Sequence, residues 1–525
     1  MTQETAVSNR IIRDITVVGG GTAGWLTALY AKVVFPTKKI TVIESPNVSI
    51  LGAGEGTVPP IISLLDILEI PVSRLIKEAG STIKNGVKFT NWNNGGETDV
   101  FYNCFVPYGN LSEYSIPMER HSSGTPVVYP LAVAEGLKNT EWSYMASISS
   151  MDKVPFRSRE QYDPTSNPIY RYEPMGNFAI HFDALRLAKI LKEIALERGI
   201  VYIEGHVVDT TENEHGEVNQ LKLEHGAGID TDFVFDCTGF NSIFAEKFDN
   251  KWISYSDHLT VNAAMPFSLE IEEPTPPYTE AVAMKYGWMW KIPLEGRYGC
   301  GYVFDSNHIS EEEARQEIID YLGYEPTWPR ETAIRFESGR REEPWKKNII
   351  TVGLSSSFVE PLEATSIWSS FVSLSRLFGN TELIYKKDQK LVDEYNKEAG
   401  EINDDLLKFI YFHYMSGRAD TEFWKHYTRE NAPENLKTML DYLDYRNYKF
   451  EDFGIKDQYP MDAYYNIGLG IKYKPMLDNL KEFEFYHFAK THLNNEFHFY
   501  KKTIENVSQS ESITHDELLE YLKEN

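Results

Sequence analysis

The sequence predicts an α/β protein in which a parallel-sheet module is interleaved with a β-rich layer and followed by a helical C-terminal module. Three observations carry that expectation. A glycine-rich turn stands between a short apolar strand run and a helical run near the N-terminus. Two further buried-strand runs, Asp232–Phe240 and Asn348–Gly353, end in small-residue turns far downstream. Residues 386–525 are helix-prone, ending in an acidic segment from Glu505 to Asn525 that reads as a solvated or packed helix.

The first element fixes the most. Ile15 to Val18 is a buried-strand run, Gly19 to Gly24 follows, and Trp25, Leu26, Leu29 and Tyr30 continue at helical spacing. This is GxGxxG in the context the motif requires, a strand before and a helix after. Gly19 permits the tight turn, Gly21 lets backbone approach a pyrophosphate, and Gly24 lets helix and sheet pack closely. Thr22 and Ala23 open the helix, whose free N–H groups and partial positive charge suit phosphate. Lys39 to Ile43 reads as the next strand. Glu44 ends it, 20 residues beyond Gly24, where a ribose-binding carboxylate belongs. Dinucleotide binding is the expectation.

Composition bounds the rest. The 525 residues allow about three domains, with 42% hydrophobic and 13% aromatic residues for a large core. Lys+Arg 52 against Asp+Glu 78 leaves a net charge of −26, which argues against nucleic acid and anionic membrane as partners. Ile15 to Phe35 is apolar but broken by glycines and Lys32, so a buried strand–turn–helix explains it better than a membrane span. Cys104, Cys237 and Cys300 form no CxxC or disulfide framework, and Met1 to Arg10 is polar without a signal peptide. A cytoplasmic location is expected. His487, His492 and His498 lack metal-ligand spacing, so no metal site is expected.

Several later segments carry chemistry. Trp288-Met289-Trp290-Lys291-Ile292-Pro293 fits WxWxIP, and on a strand both indoles project from one face. Phe358 to Ile367 contains Glu360-Pro361-Leu362-Glu363-Ala364-Thr365-Ser366. Gly52 to Pro59 reads GAGEGTVP, Ser81 to Phe89 contains Lys84, Ile180 to Ala184 reads IHFDA, and Phe409 to Trp424 is aromatic. In this order, from about residue 11 to 425, these segments resemble the flavin-dependent halogenases of the tryptophan halogenase family. WxWxIP with EPLEAT is the specific pair. Asp232–Phe240 (DFVFDCTGF) resembles the second FAD-contacting strand of the glutathione-reductase-like flavoproteins. The Gly-Asp pair of flavin hydroxylases is replaced by Leu354 to Ser357.

The resemblance implies a glutathione-reductase-like, Rossmann-type FAD-binding module within residues 1–385, from segments 11–60, 165–245 and 345–385. A substrate β layer from 85–135 and 250–340 is interleaved with it, and 386–525 caps the substrate. FAD, used as FADH2, would be held by the N-terminal loop, Glu44, Gly54, Gly239 and Gly353. A separate flavin reductase would supply FADH2. Oxygen and halide (chloride, bromide or iodide) would give hypohalous acid. Lys84 would relay it, as a hydrogen-bonded ammonium or as a haloamine, with Lys88 as a decoy. Trp288 and Trp290 would wall the flavin from substrate. Glu363 would stabilise the charged ring and accept its proton; Glu360 reads as structural.

Thr365 and Ser366 fall at the halide site. The best-known tryptophan halogenases carry Gly at the position of Ser366, so a preference for bromide or iodide is expected. Tryptophan-specific members sandwich the indole with His-Pro-Phe; Asn103 and Cys104 stand here at the first two positions, and Phe105 is retained for ring stacking. Tyr464 and Tyr465 are candidates for an amino-acid clamp. The expected substrate is a small aromatic other than free tryptophan: an indole, a phenol or a heteroarene. The rival readings are an FAD-dependent aromatic monooxygenase and a catalytically silent flavin-binding protein.

Overall fold

The computed structural model describes residues 12–48, 54–105, 128–158, 171–379, 381, 384–385, 388–446, 458–482, 487, 490–492 and 494–525. Met1 to Arg10, and Gly52 and Ala53 of the GAGEGTVP loop, lie outside them.

Apolar and β-branched runs with both faces covered build a six-stranded sheet, ordered 201–204, 39–44, 14–18, 233–236, 349–351, 345–346. All neighbours are parallel except the last pair. Ile15 pairs with Phe233 and Val234 with Ile349, so strands hundreds of residues apart form adjacent rungs. The helix Thr22–Val34 covers one face with Trp25, Ala28 and Leu29 fully buried.

A seven-stranded sheet forms the second layer, ordered 334–335, 263–269, 297–304, 287–294, 279–283, 86–90, 100–104. Its strand Gly287–Leu294 alternates as the spacing predicts: Trp288 and Trp290 enter one core cluster and Met289 the opposite one.

A small three-stranded sheet joins the layers. Ala179–Asp183 lies between Gly54–Gly56 and Thr82–Lys84, with Gly56 opposite His181 and Lys84 opposite Ala179. Asp183 then caps the helix Ala184–Glu197, accepting from the N–H groups of Leu185 and Arg186. Gly54 lies against Gly299 of the large sheet. A Cβ at Gly299 would stand 2.9 Å from Gly54 Cα, so two glycines permit this crossing.

The C-terminal part is helical, organised on Gln389–His413, which buries Phe409, Tyr411, Phe412 and His413 completely. The acidic tail is packed: His515–Glu524 starts at a Thr514 cap and sinks Leu518, Leu519 and Leu522 into the core of the parallel-sheet module. Each such leucine contributes about 1.5–3 kcal/mol of burial. His515 Nδ1 donates to Thr275 O (3.0 Å), and Nε2 accepts from the N–H of Ile83 (3.0 Å), beside Lys84.

Candidate active site

The three motif glycines have the geometry expected of each. Gly19 has φ +123°, and a Cβ there would lie 2.1 Å from Cys237 O. A Cβ at Gly24 would lie 1.9 Å from Gly19 O, whereas at Gly21 it would meet nothing within 4 Å. The turn is therefore sealed on its protein side and open where Gly21 faces the cavity. Gly20, to which the motif assigns no role, is also constrained, because a Cβ would strike the Glu44 carboxyl at 2.3 Å. Thr22 Oγ1 is buried at the helix N-terminus without a partner among the described residues. An orphaned hydroxyl, an open glycine and a helix of 13 residues fit a bound pyrophosphate.

A cavity of about 530 Å³ runs from this turn into the space between the two sheets. Gly19, Gly21, Thr22, Ala23 and Glu44 line it; Gly24 lies behind, packed on the turn. Gly54, Gly239 and Gly353 line it from three other segments. Gly353 (φ +67°) rests on Ala23, whose Cβ would be 2.9 Å from any Cβ added there. Glu44 is held by Lys192 Nζ at 2.8 Å. Glu55 also lines the cavity; burial foremost, and then nearby Asp183, push its carboxyl up to about 7.

Lys84 lines the same cavity and is 1% exposed. Lys88, the other lysine of the segment, is paired with Glu280 at 2.9 Å. The Lys84 ammonium has no ion pair among the described residues, and burial lowers it to about 8, with Glu363 pulling the other way. A Cβ at Gly56 would stand 3.1 Å from Lys84 Nζ and 3.5 Å from Thr279 Oγ1, so glycine leaves this corner open. His181 is fixed beside it by Thr82 (3.1 Å) and Thr279 (3.0 Å). The Thr82 hydroxyl already donates to Pro293 O, so His181 Nδ1 is the ring's donor and its Nε2 accepts from Thr279. The Phe105 ring centroid is 5.7 Å from Lys84 Nζ, on a flank that does not line the cavity.

The EPLEAT segment forms a single 3₁₀ turn, Pro361–Glu363, then Ala364 in the left-handed region (φ +57°), then the helix Thr365–Gly379. This kink sends neighbouring side chains different ways. Leu362, Ala364 and Ser366 face the cavity; Thr365 is buried behind it, donating to Val359 O at 3.3 Å. Of the two residues expected at the halide site, Ser366 therefore lines the cavity and Thr365 stands behind it. Glu363 is 3% exposed; its Oε1 accepts from Asn103 Nδ2 (2.9 Å) and meets His413 Nε2 at 3.0 Å. Glu360 is fully buried, its Oε1 taking the Tyr414 hydroxyl, and burial raises it to about 8.

Of the two tryptophans, only Trp290 borders the cavity. Trp288 backs it, with ring centroids 6.3 Å apart. The double-indole wall is corrected to one facing indole and one supporting indole. Tyr464 and Tyr465 are both buried, Tyr464 against Phe409 and Tyr465 stacked on Tyr129 at 4.5 Å. An apolar helix face put them in the core.

Sequence reasoning missed Gly301, and it missed Asn103 and His413 as partners of Glu363. Gly301 has a readable signal, a glycine two residues from Gly299 inside an aromatic strand, which marks close approach. Nothing in the sequence joins Asn103 or His413 to Glu363, which is distant in the chain from both. Among the described residues no cluster of three His, Cys, Asp or Glu side chains could hold a metal, and no helix is long and apolar enough to cross a membrane.

A glycine turn at the end of an interior parallel strand, opening into a cavity that a buried lysine also lines, defines a dinucleotide-cofactor enzyme with its reactive end between the sheets. The tryptophan halogenase family model matches residues 14–482, and the chain belongs to that family. It is 31% identical over 461 residues to tryptophan 6-halogenase ThaL of Streptomyces albogriseolus, covering 83% of this chain and 82% of that one. It is 30% identical over 459 residues to tryptophan 7-halogenase RebH of Lentzea aerocolonigenes, covering 82% and 81%. The fold is similar to that of BrvH, a flavin-dependent halogenase from Brevundimonas sp. BAL3, with a TM-score of 0.82 at 27% identity, covering 98% of this chain and 100% of that one. The protein is a flavin-dependent halogenase.

Proposed function

We propose that this enzyme uses FADH2, oxygen and halide to halogenate a small aromatic substrate other than free tryptophan, with Lys84 as the relay and Glu363 as the base. One observation carries the reading: Lys84 is buried, without an ion pair among the described residues, on the wall of the cavity that the glycine turn also lines, close enough to Glu363 to feel its charge.

The N–H groups at Gly21 and Thr22 would hold the pyrophosphate, Glu44 the ribose, and Gly54, Gly239 and Gly353 would admit the remainder of FAD by close backbone approach. When bound and reduced, the flavin supplies, with oxygen, the two-electron oxidation of halide to hypohalous acid. Trp290 blocks the short route from that oxidant to a carbon substrate, while Lys84 holds the halogen by its ammonium or as a haloamine. A pKa of about 8 brings both forms within reach near neutrality. At the ring carbon a C–X bond forms and the C–H bond breaks; its electron pair returns to the ring and the proton goes to Glu363, while the X–O bond breaks and the hydroxide of hypohalous acid takes a proton from the Lys84 ammonium to leave as water. A carboxylate facing the charged ring lowers that barrier.

Two observations favour a substrate without an amino-acid head: Tyr464 and Tyr465 are enclosed in the core, and Asn103 is engaged with Glu363. Ser366 on the cavity wall changes the size and polarity of the halide corner, and bromide or iodide, which lose water and are oxidised more readily than chloride, would be preferred. FADH2 arrives from a separate flavin reductase. The test is a panel of halides and arenes with reduced FAD, read by mass spectrometry, with Lys84→Ala beside the parent. Halogenated product that vanishes in the variant while flavin reoxidation continues supports the reading. Halide-independent oxygenation of the arene would instead make this an aromatic monooxygenase. Loss of flavin reoxidation in Lys84→Ala would remove the relay role.

A further inference from the structure

Glu363 is gripped by one oxygen. Asn103 Nδ2 and His413 Nε2 both reach Oε1, at 2.9 and 3.0 Å, and no bond to Oε2 is made among the described residues. The two partners come from different layers. Asn103 is on the strand Val100–Cys104 at the edge of the seven-stranded sheet, and His413 ends the long helix Gln389–His413. Both are buried, His413 completely. The far ring nitrogen, His413 Nδ1, lies 2.7 Å from Phe409 O. Phe89 and Phe409 pack on the imidazole at 5.3 and 4.7 Å between centroids.

Proton counting follows from these contacts. A carbonyl accepts only, so His413 Nδ1 carries a hydrogen. A carboxylate also accepts only, so the contact of Nε2 with Oε1 requires one more proton, held on the ring or on the carboxyl. The pair shares that proton across 3.0 Å. The other titratable groups felt by Glu363 are Lys84, Cys104 and Tyr459, none of them bonded to Oε1.

We propose that His413 and Asn103 are positioning residues for Glu363. They lock Oε1 in place, so Oε2 is the oxygen turned to the substrate ring and left to take its proton. This rests on the reading of Glu363 as the group that takes the ring proton. In that step the C–H bond breaks, its electron pair rejoins the ring and the proton forms a bond with Oε2, while the hydrogen between His413 and Oε1 stays in place. Asn103 keeps the carboxylate from swinging toward His413 with both oxygens.

The experiment uses holoenzyme with a flavin reductase, bromide and indole as the probe arene, comparing ordinary with ring-perdeuterated indole. The variants are His413→Phe, His413→Gln, Asn103→Leu, Glu363→Gln and the double variant His413→Phe/Glu363→Gln. FAD binding and flavin reoxidation at the parent level certify a folded cofactor site. Under that condition His413→Phe loses about 10- to 100-fold in product formation, and a deuterium isotope effect appears that the parent does not show, because proton removal has become slow. His413→Gln, which keeps a neutral donor, recovers part of the rate. The double variant is no worse than Glu363→Gln alone, since His413 acts only through Glu363. A parent rate in His413→Phe, a lost rate without an isotope effect, or additive losses in the double variant would each overturn the inference. A parent enzyme that brominates no arene would overturn the underlying assignment instead, and the isotope comparison would not be reached.

Discussion

The indole of Trp290 lies flat on Gly301: across the antiparallel pair of strands the two residues are in register, and a Cβ on Gly301 would stand 2.1 Å from Trp290 Cη2. The orientation of the one tryptophan that faces the cavity is therefore set by an absent side chain on its neighbour. Trp288 supports it from behind, and Met289 between them points into the other core.

Gly301→Ala forces that indole out of position. Overpacking of this kind costs about 1–3 kcal/mol, so the variant folds with a lowered melting midpoint. Its product per flavin oxidised falls severalfold, because the barrier between oxidant and arene is displaced. Parallel measurement of flavin reoxidation and halogenated product checks this; unchanged coupling would contradict the barrier role of Trp290.

Lys84 is held at a cost to stability. Its folded-state pKa of about 8 lies below its ordinary 10.5, so the unfolded chain binds the extra proton more readily. The penalty is fully present below pH 8 and disappears as pH rises from 8 toward 10.5. Lys84→Met removes a buried, unpaired charge and is more stable at pH 7 by on the order of 3 kcal/mol. The gain shrinks above pH 8. Denaturation midpoints of parent and variant across pH 7–10 decide the matter, and a destabilised Lys84→Met at pH 7 would contradict it.

His515 couples the tail to the Lys84 strand. Burial depresses the imidazole to about 4, so the neutral form is favoured in the folded state, and both ring nitrogens are bonded in that form. The unfolded chain protonates near 6.5; stability is therefore intact above that pH and is lost as pH falls from 6.5 toward 4. His515→Ala leaves the N–H of Ile83 and the carbonyl of Thr275 unpaired, costing about 2–4 kcal/mol at pH 7. It also flattens the decline between pH 6.5 and 4. Urea midpoints at pH 7 and pH 5 test both statements.

Ser366 lines the cavity at the position proposed for the halide. Ser366→Gly shifts the product ratio toward chloride when equal chloride, bromide and iodide compete, while the parent favours bromide or iodide. Mass spectrometry of the competition reads the ratio directly. Chloride winning in the parent would end this account of halide choice.

The glycine turn was legible because its chemistry is local. Positive φ at Gly19, contact at Gly24 and open space at Gly21 depend on neighbouring backbone, and the flanking strand and helix patterns announce them. Period-two spacing likewise placed Trp288 and Trp290 on one face. It could not say which of them meets the cavity, since that depends on how far the strand runs under the second layer. The Tyr464–Tyr465 pair is open in the sequence for the same reason: polar-tipped aromatic residues read equally as ligand contacts or as core, and only the fold shows Phe409 and Tyr129 packed on them.

By itself, then, the sequence determined the halogenase framework: the dinucleotide turn, the WxWxIP strand, the EPLEAT kink and a short list holding Lys84 and Glu363. Tertiary structure alone buried Lys84 while pairing Lys88 with Glu280, and brought Asn103 and His413, 260 and 50 residues away in the chain, onto one oxygen of Glu363. The division has a physical cause. Backbone conformation is written in adjacent residues, whereas charge state and side-chain aim are set by whatever the fold packs around them.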